Sequence, residues 1–508
     1  MLGASLVLLL LLPHDDKPVA KLPLGKETTY ITGPLDKDGY LDYESALNDR
    51  LGMGISPETN ANVLLWKALG PAAWGWEGNS QMREECFKRL GIANLPAEGD
   101  YFFDLPAYVR HHAKLDVKQV SAIVDQQERA GQRPWSANDY PHLAGWLRAN
   151  EKPLALAVQA SRRPDYFNPV VTRKTGEKPE RLIDALFPSL WRCRDMASAL
   201  AARAMLRLGD GKADEAWQDL LACHRLGRLL ARGGTSIEAM YGAAIDRNAA
   251  NADLAYLEGA GLTAGQVRGC LKDLRGLPAM PPIADKCDLT ERFMYLDAVQ
   301  SVRRGGGKDL GAKELRELEM IDWEPALRDG NRCYDRLAAA LRVKDPTERR
   351  KEMEKVGKEI DALVKDSKSL ETVLKGVHEG RPDKLAGKAI GGALLRLMMP
   401  LPRSLQAFDD KPEQVQRNLH LAFALAAYRG DHGRYPAKLD ELAPKYLAAV
   451  PDDLFSGKPL VYRPEGKGYL LYSVGVNGRD DGGRWKDDDP PGDDLRVRMP
   501  LPELKPQK

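Results

Sequence analysis

The sequence predicts an α+β protein, mainly α-helical over its N-terminal region and closed by a small helix-plus-antiparallel-sheet module. Three observations predict it. Helical signals run from residue 41 to about 400, broken by Gly and Pro. Short strand-like runs with hairpin turns crowd the last fifty residues. The composition, 43% hydrophobic and 29% charged over 508 residues, is that of an ordinary globular chain long enough for two or three cores.

The chain opens on the apolar run Ala4 to Leu12, closed by Pro13, His14, Asp15 and Asp16. A bilayer span needs about 18 apolar residues, so this run is too short to cross one and fits the core of a secretory signal over residues 1–16. No Lys or Arg precedes it, and no small-x-small cleavage site follows. Export to the periplasm or cell envelope is expected, with membrane association only through this segment if it stays uncleaved. Residues 17–40, rich in Pro, Gly and Lys, read as an extended lead into the first helix.

Helices follow over residues 41–400, which could divide into two subdomains. Ser56 is the expected N-cap and Pro57 the first residue of a helix whose apolar face carries Val63, Leu64, Trp66 and Leu69. Residues 182–232 form an αα-hairpin about the break Leu208-Gly209-Asp210-Gly211. From 346 to 380, Met353, Val356, Ile360, Leu363, Leu370, Leu374 and Val377 place a narrow apolar seam on a long charged helix that needs a partner, more simply found within the chain. Met399, Pro400 and Pro402 mark a domain boundary, and a new helix is expected from about Lys411 and Pro412 to Arg429. Strands are expected at Pro459–Tyr462, Tyr469–Val474 and Leu495–Met499, the first two joined through Glu465-Gly466-Lys467-Gly468.

Two stretches resemble known families. The order AYRGDHGRYP, LDELAPKYL, VPDDLFSGKPLVYR and YLLYSVGVNGRDDGG resembles the globular head of the type II secretion major pseudopilin over roughly residues 411–500, within a module expected at 405–508. The phrase LRLGDGKADEAWQDLLACHRL resembles a single tetratricopeptide hairpin, without a second copy at that repeat length. The pseudopilin resemblance implies a calcium ion in the loop after the YSVG strand. Its implied ligands are the Val474 carbonyl and the side chains of Asn477, Asp480, Asp481 and Asp487, with Asp488 and Asp489 close by. Asn477 stands where the family has an aspartate, and Gly482 to Trp485 alter the spacing to the later acids. No prepilin-peptidase site occurs at residues 1–13, and about 400 residues separate the N-terminus from the module, so filament assembly by the usual route is not expected.

Other signals point elsewhere. Lys and Arg number 75 against 73 Asp and Glu, which leaves no excess charge for nucleic acid. Asp36 to Glu44 has the acids of an EF-hand, but Pro34 and Ser45 occupy its first and twelfth positions, so a turn into a helix is expected. The eight histidines show no HExxH and read as surface residues. GxSxG and P-loop patterns are absent, and Arg303 to Gly311 reads as a loop. Trp66, Trp74, Trp76 and Phe87 read as core. Six dispersed cysteines form no CxxC pair; Cys193–Cys223 and Cys270–Cys287 are the nearest pairs, and buried thiols are the simpler reading.

The sequence therefore suggests a non-enzymatic exported bacterial envelope protein whose C-terminal module binds a protein partner, such as a secretion or envelope component. One alternative is a tetratricopeptide-like adaptor with a concave groove at residues 190–250. Another is an enzyme, which a deep pocket holding facing acids or a His–acid pair would favour.

Overall fold

The computed structural model describes residues 18–71, 80–113, 115–172, 174–175, 178–179, 181–185, 187–306, 312–365, 386–399 and 402–504. The run at 4–12, Trp74, Trp76, residues 307–311 and the 366–380 half of the charged helix lie outside them. Among the described residues no helix is long and apolar enough to cross a membrane.

Residues 18–42 lead into α1 (Tyr43–Leu51) through turns at 25–30 and 36–39 rather than as one extended segment, and the Asp36 carboxylate accepts the Asp38 and Tyr40 amides at 2.9 Å. The EF-hand-like run is thus a turn leading into a helix. α2 (Ala61–Leu69) starts later than Ser56. Ser56 and Thr59 instead close a turn on each other, and Asn60 caps the helix, accepting the Asn62 amide at 3.0 Å while its Nδ2 donates to the Phe167 carbonyl at 2.9 Å. That long-range pairing, invisible in local sequence, fixes the start. Trp66 and Phe87 meet edge-on in a buried cluster.

α3 (Ser80–Leu90), α4 (Leu105–Ala113), α5 (Val117–Ala130), α6 (Pro141–Ala149) and α7 (Glu151–Ala160) precede a two-residue hairpin, β1 (Lys174–Thr175) and β2 (Lys178–Pro179). Three long helices follow: α8 (Pro188–Gly209), α9 (Ala213–Ala231) and α10 (Ser236–Gly259). α8 and α9 are the expected hairpin, turning where Gly211 takes φ +75°. Side chains of α9 are buried along nearly its whole length between α8 and α10.

α11 (Ala264–Arg275), α12 (Ile283–Lys286), a π turn at Cys287–Glu291, α13 (Arg292–Arg303), α14 (Ala312–Glu319), α15 (Glu324–Leu341), α16 (Pro346–Lys365) and α17 (Ala386–Met398) complete the helical part. The apolar seam of α16 finds its partner inside the chain: Met353 and Val356 are buried in the core shared with α15 and α17. All six cysteines are buried and free.

α18 runs from Pro402 to His432, so Pro412 lies inside the helix and not at its start. It lies over an antiparallel sheet in the order β3 (Val461–Glu465), β4 (Gly468–Ser473), β5 (Leu495–Met499), with Val461 opposite Tyr472 and Tyr469 opposite Met499. The first strand starts later than Pro459 because that residue forms an isolated bridge with Asp452. The fold is therefore the α+β arrangement expected, mainly helical with a small C-terminal sheet.

The cores do not follow chain order. One apolar cluster joins α2 and α4–α11 to Leu419, Phe423, Tyr469 and Val497; another joins Leu22 and Leu41 to α13–α17 and Leu405. α18 contributes to both. Near the sheet its Gln414 accepts the Leu454 amide at 2.8 Å, and Asn418 Nδ2 donates to the Leu495 carbonyl at 2.8 Å.

Candidate functional site

The turn Pro451–Ser456 is organised by a buried acid. Asp453 accepts hydroxyls from Ser456 (2.8 Å) and Ser473 (2.6 Å) and amides from Phe455 (3.1 Å) and Val474 (3.3 Å), fastening that turn to the end of β4. The acidic loop begins there. Of the residues expected to hold calcium, Asp481 meets Asp493 and Asp494, one oxygen of each lying within 4.8 Å of the others. Asn477 ties the loop together, its amide donating to Asp493 and its Nδ2 to Asp481, both at 3.0 Å. Asp480 accepts the Tyr472 hydroxyl (2.9 Å) and the Gly482 amide (2.8 Å), while Asp487 is exposed; neither joins the three-acid group.

Asp493 and Asp494 went unnoticed in the sequence because they sit far along the loop. The available signal was two acids directly before β5, where the chain must return beside β4. Burial, and then the charges of Asp481 and Asp480, push the Asp494 carboxyl up, while Asp493 Oδ1 is buried with no hydrogen-bond partner. Three carboxylate oxygens this close, one of them on a residue with an unspent acceptor, could hold a metal ion.

A second polar centre lies where α9, α10 and α18 meet, and it corrects the surface reading of His224. That side chain is fully buried: Nδ1 lies 2.8 Å from Asp246 Oδ1 and Nε2 lies 2.9 Å from Asp253 Oδ2. With a carboxylate on each nitrogen, the ring is an imidazolium donating both protons. Burial by itself would lower its pKa, but Asp253 and Asp246 overcome this and raise it to about 9. Asp246 also accepts Arg228 Nε (3.2 Å) and Gln416 Nε2 (2.7 Å). His224 and Arg228 stand one helical turn apart, as do Gln416 and His420 on α18, while Asp246 and Asp253 stand two turns apart on α10. Polar residues at helical spacing within apolar runs were the readable signal.

A third feature is a pocket of about 470 Å³ holding Glu44 and Asp297. Glu44 Oε2 accepts the Thr172 hydroxyl (2.5 Å) and amide (3.2 Å). Asp297 accepts the Leu182 amide (2.7 Å) and Gln300 Nε2 (2.9 Å). Burial pushes both carboxyls up, and the charge of Glu44 adds to the rise at Asp297. Each acid thus anchors backbone of the 172–182 stretch to a helix, and each can hold a proton above the ordinary carboxylic range.

No protein-family model matches the chain, and neither does any curated protein or solved structure.

Proposed function

We propose that the chain is a non-enzymatic exported protein of the bacterial cell envelope whose pseudopilin-head-like C-terminal module binds a protein partner through its acidic, calcium-ordered loop. The observation that carries this reading is the loop between β4 and β5. It presents Asp481, Asp493 and Asp494 on a short sheet held by α18, in the order of motifs that resembles the pseudopilin head. The helical part acts as a rigid support, since α18 shares its apolar cores.

The test uses the full chain. Millimolar Ca²⁺ should raise Tm by several degrees, and Asp493→Asn should remove the rise. A photo-crosslinking residue at exposed Lys486 should then capture one envelope protein in a Ca²⁺-dependent manner, and a reporter fused after residue 40 should reach the periplasm. A reporter left in the cytoplasm overturns the localisation. Unchanged melting removes the metal, and a crosslink indifferent to Asp493→Asn removes the interface.

A second reading, an acid–base enzyme, is favoured by the Glu44–Asp297 pocket. Paired carboxyls with raised pKa values are what a general acid and its partner base require. Under that reading a water-soluble carbodiimide at pH 6 modifies Glu44 and Asp297 faster than the surface acids. Labelling no faster than at exposed Asp487 leaves the two acids as structural anchors only.

A further inference from the structure

Where α18 crosses the helical body, a cavity of about 410 Å³ opens between α9, α11, the 277–283 connection, the α15–α16 junction and Leu454 of the C-terminal module. Much of its wall is apolar, including Leu274, Met280, Phe408 and Leu454. Its charges balance only in part. Arg349 bonds Asp410, Arg417 pairs with Glu413 at 3.0 Å, and Arg228 is engaged by Asp246 and by the Pro278 carbonyl at 2.5 Å. Asp409 is taken up by the Ile283 amide at 3.0 Å. Arg275 and Lys344 remain exposed in the lining, with no ion pair to any described residue.

Two polar atoms in the same lining are also unspent. Gln416 Oε1 and His420 Nε2, one helical turn apart on α18, are both buried without a hydrogen-bond partner. A buried polar atom left unpaired is costly, so the retention of His420 Nε2 at a cavity wall, where a neutral ring nitrogen can donate, points to a partner from outside the chain. Burial, then the charges of Arg228 and Arg275, lower the His420 pKa to about 4, so near neutral pH the ring is an uncharged hydrogen-bonding group.

We infer that this cavity binds a small organic monocarboxylate with an apolar body, its carboxylate between Arg275 and His420 Nε2 and its hydrocarbon against Leu274, Met280, Phe408 and Leu454. Apolar walls with a few convergent polar groups are the usual make-up of a small-molecule site, and the volume lies in the usual range. The surplus of unpaired cations selects an anion. The site stands independently of the acidic loop, because no residue is common to the two.

Decanoate is the probe and decan-1-ol its uncharged match, each titrated calorimetrically into the full chain. Decanoate should bind at one site, at least about tenfold more tightly than decan-1-ol, since a charge-assisted hydrogen bond adds on the order of 1.5–3 kcal/mol. Arg275→Gln should remove that preference and leave decan-1-ol binding unchanged. Ala243→Phe, on the α10 wall of the cavity, fills it and should abolish binding of both. Far-UV circular dichroism checks that the variants fold, and Arg275, being exposed, decides the matter if the cavity-filling variant does not. No saturable decanoate binding, equal affinity for the two probes, or full decanoate affinity in Arg275→Gln overturns the inference.

Discussion

Gly242→Ala is expected to destabilise the protein by about 3 kcal/mol, although in helix propensity alone the change is favourable by roughly 1 kcal/mol. The reason is that α9 and α10 touch backbone to backbone. A Cβ at Gly242 would lie 2.3 Å from the Gly227 carbonyl oxygen and 2.6 Å from the Ala231 amide nitrogen, and one at Gly227 would meet the Gly242 carbonyl at 2.7 Å. Neither obstacle is a flexible side chain, so the helices must separate. Separation also stretches the His224 contacts to Asp246 and Asp253, which sit on the other helix at 2.8 and 2.9 Å. Packing therefore outweighs propensity. Gly269→Ala on α11 is the control, since its Cβ would meet nothing within 4 Å, and it should stabilise by about 0.5–1 kcal/mol. Urea unfolding at pH 7 checks both; a small stabilisation of propensity size at both sites alike would show that the helix contact is not tight.

These particulars show where the sequence was legible. The α8–α9 hairpin, the seam of α16 and the three C-terminal strands were readable because each rests on local periodicity and a glycine or proline stop. The cap of α2 was not, because Asn60 is chosen by Phe167, a residue more than a hundred positions away. Nor was the length of α18: Pro412 reads as a start, yet the helix continues through it because residues before and after it are gripped by two different cores. The candidate site divides in the same way. Asp481 was found by its resemblance to a loop, whereas Asp493 and Asp494 join it only once β5 returns alongside β4. His224 was misread because a lone histidine gives no hint of carboxylates on the next helix. Asp246 and Asp253, two turns apart among alanines and leucines, were the better clue.

His224→Leu is the second large effect, expected to cost about 3–5 kcal/mol at pH 6.5, because it leaves Asp253 without its cation and Asp246 with Arg228 and Gln416 alone. Leucine matches the ring in apolar packing, so lost volume contributes little; what remains is uncompensated buried charge. The pH dependence separates this account from a packing defect. In the folded chain the imidazolium is held up to about 9, above its ordinary value of 6.5. A raised folded pKa gives stability that is fully present below pH 6.5 and fades as pH climbs through 9. The wild-type protein should therefore lose on the order of 3 kcal/mol across that window. His224→Leu, lacking the titrating group, should be nearly flat there, so that the two urea-unfolding profiles converge by pH 9.5. Burial, then the charges of Arg228 and Arg275, push the His420 ring down to about 4, so it titrates on the acid side of this window and adds little slope within it. A constant gap between wild type and variant from pH 6 to 9.5 would mean that the ring is held neutral, and that the two carboxylates do not govern it.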